Sequence, residues 1–571
     1  MNLNQRCSRR EALKGGAVLV GGSAVVAALP AAAHAATDSY GGPNTSRSKS
    51  DSIVAKKGEA IVNTAYGKIA GYIHNGIYTF KGIPYGDTTA GENRFMPPRR
   101  PQPWTGVRSA RQYGNACPQA PRTGWENDEE AFLFTWDDGI PGEDCLRLNV
   151  WTPKTGDGKK RPVMVWLHGG GFTAGNGQEH RAYDGENLAR RGDVVLVSLN
   201  HRLNLFGFLD LSAHGEKYAS SGNAGMLDIV AALEWVRDNI QAFGGDPACV
   251  TIFGQSGGGG KVGTLMAMPA AKGLFHRAII QSGSMLRVGT QQDARKLADS
   301  VVEELKLDAG SIDRLMTVPW PELIAVMSRV MARRNSMPPG TLPNFRRLAS
   351  QMGFAPVVDG KVLPGHPFDP KPAPYADAVP LIVGSTLNEF VHALNHPEYE
   401  SLSDAELEQR VQGMFGDKSA AVLKAFRARV PNATPFDIWS RVAASSVREG
   451  AIQQARLKAA VGKAPAYLYW FTWQTPVLDG RPRAFHCAEI AFCFDNTDRA
   501  ENMTGGGPRA RALGAIVSEA WLHFARTGDP NHPGMPKWNP VSNRSLPTMI
   551  FDDKVVAVEF PDRDEQGSIA G

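Results

Sequence analysis

The sequence predicts the α/β class, with a large, mainly parallel sheet flanked by helices, and three observations carry that expectation. The first is a series of short runs dense in β-branched residues: VMVWL (Val163 to Leu167), VVLVSL (Val194 to Leu199), VTIF (Val250 to Phe253), AIIQS (Ala278 to Ser282) and LIVGS (Leu381 to Ser385). Unbroken apolar runs of this length suit strands covered on both faces, as in a parallel sheet. The second is helical periodicity between them: Met226, Ile229, Val230, Leu233, Val236, Ile240 and Phe243 recur at three- and four-residue steps and make one apolar stripe. The third is the alternation itself, strand then helix, which is how a parallel sheet is wired.

The chain opens on an address. SRREALK (Ser8 to Lys14) precedes an uncharged Gly/Ala/Val stretch, Gly15 to Ala33, which ends in Ala33-His34-Ala35. A charged start, an apolar middle and a small-residue end are the parts of an export signal. The paired arginines resemble the bacterial twin-arginine type, although Ala12 stands where that type prefers a larger apolar residue. The stretch approaches spanning length but is rich in Gly and Ala and broken at Pro30. Residues 1–35 are therefore expected to be removed, and the mature protein to be periplasmic or secreted, with no stable membrane association. Residues 36–57 are polar and Gly/Ser-rich and read as a flexible leader.

Ile61 to Tyr85 carries short alternating runs between glycines, which suits antiparallel strands ahead of the main sheet. Ala294 to Met352 is mostly helical in pattern, interrupts the strand series and reads as an insertion over the sheet's edge. Ala510 to Thr527 returns to an apolar stripe with Leu513, Ile516, Val517, Ala520 and Phe524.

Charge narrows the partners. The 571 residues hold 62 basic and 57 acidic side chains, a net +5. Arg6, Arg9, Arg10 and Lys14 against Glu11 lie in the signal, so its removal leaves +2. No basic stripe remains, and nucleic acid is not an expected partner. Of six cysteines, Cys7 lies in the signal; the five that remain cannot all pair, and their spacing resembles no metal site.

One stretch poses the chemical question. FGQSGGGGKV (Phe253 to Val262) has the glycines and lysine of a phosphate loop and a serine among them. A phosphate loop needs G-x-x-x-x-G-K-[ST]; here the first position is Gln255 and the last is Val262, which has no hydroxyl for a magnesium ion. The alternative, G-x-S-x-G, is filled by Gly254, Gln255, Ser256, Gly257 and Gly258, between a strand and a helix-compatible run. A sharp strand-to-helix turn of this kind needs glycine around the serine and leaves its hydroxyl exposed.

Three features support a nucleophile over an incidental serine. HGGGF (His168 to Phe172) follows strand VMVWL, and its glycines can bend amides toward a developing oxyanion. Gly170 and Gly171 are the expected donors, with the Gly257 N–H as the third. Glu389 follows strand LIVGS in GSTLNEF, and His486 lies in AFHCAEIAF. A serine needs a base, an imidazole titrates near neutrality, and a carboxylate fixes its tautomer. The chain order Ser256, Glu389, His486 is that of an α/β-hydrolase.

With these residues in view the chain resembles the type-B carboxylesterases, from about Ile61 to Asp553. The likeness includes EDCLRLNVWTP (Glu143 to Pro153), HGGGF, NHRLNLFGFL (Asn200 to Leu209), the run Gly222 to Gly258, VPLIVGSTLNEF, AFHCAEIAF and WLHFARTGDPN. It implies one α/β-hydrolase domain over residues 58–571, with a mixed, mostly parallel sheet and helical insertions over a gorge. It also implies ester hydrolysis through an acyl-serine without metal or cofactor, and a disulfide between Cys117 and Cys145. Cys249, Cys487 and Cys493 have no counterpart and read as buried thiols, with a Cys487–Cys493 bridge as the alternative.

The departures bear on substrate. Gln255 replaces the glutamate usual before the nucleophile, which argues against cationic choline-type esters. Gly257 stands where alanine is common, and Phe390 and Cys487 follow Glu389 and His486 where glycine is common, so both should crowd the acid and base. Amides, lactones or a detoxification ester are alternative substrates for the same machinery. A non-catalytic binding protein on this scaffold is the alternative from another class.

Overall fold

The apolar runs pair side by side in one twelve-stranded sheet. The structure, a computed structural model, describes residues 52–121, 128–308, 310–334 and 353–570. In chain order the strands are β1 (Ile53–Val54), β2 (Tyr72–His74), β3 (Ile77–Pro84), β4 (Arg147–Thr152), β5 (Arg161–Leu167) and β6 (Val195–Leu199). They continue with β7 (Gly245–Gln255), β8 (Arg277–Gln281), β9 (Leu381–Thr386), β10 (Ala466–Phe471), β11 (Pro547–Phe551) and β12 (Val556–Glu559). Their spatial order is β1-β2-β3-β4-β6-β5-β7-β8-β9-β10-β11-β12. Every pair from β6 to β11 is parallel. The pairs before β6 and the final β11–β12 pair are antiparallel.

Burial on both faces explains the unbroken apolar runs. Val163, Val165 and Leu167 of β5 join one core, together with Val250 and Ile252 of β7. Met164, Trp166 and Phe253, which point the other way along the same strands, join a second core. Among the described residues, the helices of nine residues or more are α1 (Ala224–Asn239), α2 (Gly257–Leu265), α3 (Gln291–Glu304), α4 (Trp320–Arg334), α5 (Asp404–Phe415), α6 (Ser419–Arg429), α7 (Pro435–Val461) and α8 (Pro508–Thr527). The stripe of α1, with Met226, Ile229, Leu233 and Val236, covers the first face. The stripe of α8, with Leu513, Val517, Trp521 and Phe524, covers the second. The two faces thus hold separate cores, the doubly covered arrangement a parallel sheet requires.

The anticipated insertion contains α3 and α4, both amphipathic, with Leu297, Val301, Leu323 and Val326 buried; residues 335–352 lie outside the described residues. The expected export signal, residues 1–35, also lies outside them, as does the leader up to residue 51. The leader's end departs from its reading as unstructured. Ile53 and Val54 form β1 and pair antiparallel with His74 and Ile73, because the edge of β2 offers unpaired backbone. Among the described residues no helix is long and apolar enough to cross a membrane.

The expected Cys117–Cys145 disulfide is not formed. Both are free, buried thiols. Of the three cysteines expected to be buried thiols only Cys493 is; Cys249 and Cys487 are free but partly exposed, and Cys487 and Cys493 are not bridged either. The fold does bring Cys117 and Cys145 together: a hydrogen bond between them, with burial, pushes the Cys145 thiol well above its ordinary value. Cys117 Sγ in turn accepts the Leu203 N–H at 3.2 Å. Topology dictates the adjacency; the bond is an oxidation state, which topology does not dictate.

A buried ion pair ties α1 to the loop after β6. Arg202 and Asp228 are 1% and 0% exposed at their side chains and meet through two bonds, of 2.6 and 2.8 Å. Asp228 Oδ2 also accepts the Arg202 N–H. Removing one partner strands a buried charge. Asp228→Ala should therefore lower stability by about 3–5 kcal/mol, read as a reduced urea midpoint at unchanged slope.

Candidate active site

HGGGF, Ser256 and Glu389 follow directly on the C-terminal ends of the parallel strands β5, β7 and β9, and His486 lies in the segment after β10, on the side where the loops of an α/β sheet gather. Ser256 joins β7 to α2 with φ 57° and ψ −125°, a strained conformation for a residue with a side chain. Its N–H is held by the Gln281 carbonyl of the adjacent strand at 2.7 Å. The flanking glycines are required by close approach. A Cβ on Gly254 would lie 2.6 Å from the Gly258 carbonyl carbon, and one on Gly258 would strike the Leu167 carbonyl oxygen.

The HGGGF loop leaves β5 and packs directly on the start of α2. Gly170 and Gly171 adopt φ 77° and 63°, open to glycine without strain. A Cβ on Gly257 would lie 2.5 Å from the Gly171 nitrogen, so these two backbones touch. The alanine common at this position would not fit here without a shift. Among the described residues, the N–H groups of Gly170, Gly171 and Gly257 are bonded to no backbone carbonyl, and all three residues line one cavity.

Glu389 follows β9 by three residues at φ 43° and is fully buried. Its Oε1 accepts the Thr386 N–H at 2.8 Å, and its Oε2 lies 2.6 Å from His486 Nδ1. The two loops are also stitched by backbone, with His486 N–H donating to the Glu389 carbonyl at 2.6 Å. Ser256 and His486 line the same cavity. The serine hydroxyl is not bonded to the imidazole, which instead meets Gln255 Nε2 at 3.2 and 3.3 Å from its ring nitrogens. Catalytic hydrogen bonds are often loose before substrate arrives.

The expected crowding is present on both sides of the histidine. The Phe390 ring lies over the imidazole at 3.8 Å between centroids, and Cys487 Sγ donates to Gln255 Oε1 at 3.2 Å. The cavity encloses about 710 Å³, and its walls include Trp136, Phe172, Met285, Leu286 and Val447. That is room for a drug-sized ligand in largely apolar surroundings. Among the described residues no group of three or more His, Cys, Asp or Glu side chains is placed to hold a metal ion.

Comparison with known proteins decides the family. The carboxylesterase family model matches residues 58–566. The chain belongs to the carboxylesterase family. It is 34% identical to the para-nitrobenzyl esterase of Bacillus subtilis over 516 residues, 89% of this chain and 97% of that one. It is 33% identical to the phenmedipham hydrolase of Pseudarthrobacter oxydans, covering 87% of this chain and 94% of the relative. Among solved structures, an esterase from Clostridium hathewayi described as hydrolysing aliphatic aromatic polyesters superposes with TM-score 0.77 at 37% identity, over 89% and 97% of the two chains. A carboxylesterase of Geobacillus stearothermophilus does so at 0.72 and 35%, over 89% and 100%. This carboxylesterase is thus a carboxylic ester hydrolase of the serine-hydrolase type with the α/β-hydrolase fold.

One acid of the site was not singled out in the sequence. Glu489, in the AFHCAEIAF stretch, is fully buried with Oε1 3.4 Å from both Gln281 Nε2 and the Tyr469 hydroxyl. Burial, and then the Glu389 charge, push it up from 4.5 to about 8, so near neutrality this esterase holds it protonated. The unfolded chain releases that proton near the ordinary value, and the folded protein keeps it to about 8. The folded state therefore binds the extra proton between those limits, and stability falls as pH rises through them. Glu489→Gln should flatten this slope, so that the melting temperature of the wild type drops more between pH 5 and pH 8 than that of the variant.

Proposed function

We propose that Ser256, His486 and Glu389 are the nucleophile, base and orienting acid of ester hydrolysis, and that the N–H groups of Gly170, Gly171 and Gly257 bind the oxyanion. The observation that carries this reading is the buried Glu389–His486 pair at 2.6 Å, opening on the cavity that holds Ser256 at its strained turn.

Ser256 Oγ attacks the acyl carbonyl while His486 Nε2 takes the hydroxyl proton. The carbonyl electron pair moves to its oxygen, which becomes the oxyanion held by the three amides. Collapse restores the carbonyl and breaks the bond to the alcohol, whose oxygen receives the proton from His486. Water then attacks the acyl-serine, gives one proton to His486, and the second collapse returns that proton to Ser256 and releases the acid. Glu389 orients the imidazole and stabilises the imidazolium through Nδ1.

The walls support uncharged esters carrying an aromatic or bulky apolar part. Trp136, Phe172 and Phe390 line the cavity, and Gln255 puts an amide beside the nucleophile. The names of the similar proteins, a para-nitrobenzyl esterase and a hydrolase of aliphatic aromatic polyesters, accord with that class.

Ser256→Ala should lower kcat for a nitrophenyl ester by at least about 10³-fold with folding intact. An activated phosphonate should add its mass to the wild-type peptide containing Ser256 and to no other peptide. Near-wild-type hydrolysis by the variant, or a label elsewhere, would refute the assignment.

We also propose that residues 58–571 form one hydrolase domain, exported on the twin-arginine-type signal of residues 1–35. Support comes from the paired Arg9 and Arg10 and the Ala33-His34-Ala35 end. Expressed in a bacterium with an active twin-arginine pathway, the protein recovered from the periplasm should begin after Ala35 by N-terminal sequencing. Replacing Arg9 and Arg10 by lysine should retain the full-length chain in the cytoplasm.

A further inference from the structure

The run of four glycines and a lysine after the nucleophile is longer than the serine's turn requires, and Lys261 has no part in the chemistry above. Its side chain is 0% exposed. From one turn into α2 it points back toward the helix start, as helical side chains do, and its ammonium reaches the loop that follows β5. Nζ donates to the His168 carbonyl at 2.8 Å and lies 3.5 Å from the Gly169 carbonyl. His168 Nδ1 approaches the same Gly169 oxygen at 3.0 Å.

We propose that Lys261 is a positioning residue for the oxyanion hole: it anchors the carbonyls of His168 and Gly169 and thereby aims the Gly170 N–H into the cavity. The link is the planar trans peptide. The Gly169 carbonyl and the Gly170 N–H belong to one rigid unit and point in opposite directions. Holding the oxygen toward α2 turns the hydrogen the other way, toward the cavity that Gly170 lines. The same logic fixes the His168–Gly169 peptide, one step earlier in the loop. Glycine alone could not hold this geometry, because the freedom that admits φ 77° at Gly170 and 63° at Gly171 also admits others.

The surroundings show why the anchor comes from Lys261. At Gly257 and Gly258 the helix backbone touches the loop, and a Cβ at either would collide with Gly171 or Leu167. At Gly260 a Cβ would already meet Met285 Cε at 3.2 Å and then the Phe172 ring. From the next residue a chain of lysine's length spans the gap to the loop. His201, stacked on His168 at 5.2 Å, stays neutral there: burial and the Lys261 charge hold it well below 6.5.

This inference rests on the oxyanion assignment above, and the test separates the two. The probes are a nitrophenyl ester, a trifluoromethyl ketone of the same acyl chain, which adds to the serine and forms an oxyanion, and the matching unreactive alcohol as a competitive inhibitor. In Lys261→Met, kcat should fall 10- to 100-fold with KM within threefold. The trifluoromethyl ketone Ki should rise by the same factor as kcat/KM falls, and the alcohol Ki should not change. Lys261→Gln, shorter but still a donor, should fall between the two, and it carries the test if the methionine variant does not fold. A kcat and ketone Ki within threefold of wild type would overturn the proposal. So would an equal loss of affinity for ketone and alcohol, or failure of both variants to fold, since each assigns Lys261 to structure alone. Phosphonate labelling of Ser256 in the same preparations shows that the nucleophile assignment stands whichever way Lys261 falls; a label elsewhere indicts that assignment instead.

Discussion

Everything at this site depends on a close approach of bare backbone: the start of α2 lies directly against the loop leaving β5, with no side chain between them. Parallel pairing of β5 and β7, which sets Leu167 beside Gly254, brings the two strand ends level. The following turns must then cross within contact distance, and only glycine at Gly257 and Gly258 permits it. The strained turn at Ser256, and the amides of Gly170, Gly171 and Gly257 that meet no backbone carbonyl among the described residues, are consequences of that one contact. It costs conformational freedom in the unfolded chain, and the two-faced apolar core of the sheet offsets that cost.

A second constraint is electrostatic. Two carboxyl groups, Glu389 and Glu489, lie buried within each other's field, and both cannot be ionised cheaply in such a place. The structure resolves this by environment. Glu389 receives the Thr386 N–H and the imidazole, partners that favour a charge. Glu489 has the Tyr469 hydroxyl and the Gln281 amide at 3.4 Å and keeps its proton. The carboxyl that faces the histidine thus has the stronger hydrogen-bond partners, and the one behind it is held neutral by burial. Gln255 continues the pattern: the side chain next to the nucleophile is neutral, and its amide is shared between Cys487 and the imidazole.

Much of this was legible before any coordinates. The parallel strands read as apolar runs because both faces are buried, and each of the five runs anticipated became a strand of the central sheet. Ser256 and the HGGGF loop were legible because their constraint is local: a glycine at a fixed spacing after a strand reports a backbone turn. Glu389 and His486 were harder, since a glutamate at a strand end is common; chain order and family likeness singled them out. Their partners could not be read. Cys487 meets Gln255 across 232 positions of sequence, and Glu489 matters only because Glu389, a hundred residues earlier, folds against it. The Cys117–Cys145 pair shows the limit from the other side, since adjacency followed from the resemblance and the bond did not.

By itself, then, the amino-acid order determined which segments become strands and helices, where the nucleophile's turn falls and which glycines must bend, because these follow from periodicity and from sterics within a few residues. Tertiary structure decided that Glu489 keeps its proton, what the His486 imidazole touches, and that the lysine of an apparent phosphate loop turns inward to grip a neighbouring loop. Those outcomes depend on burial and on contacts between distant segments, quantities that exist only once the chain has closed on itself.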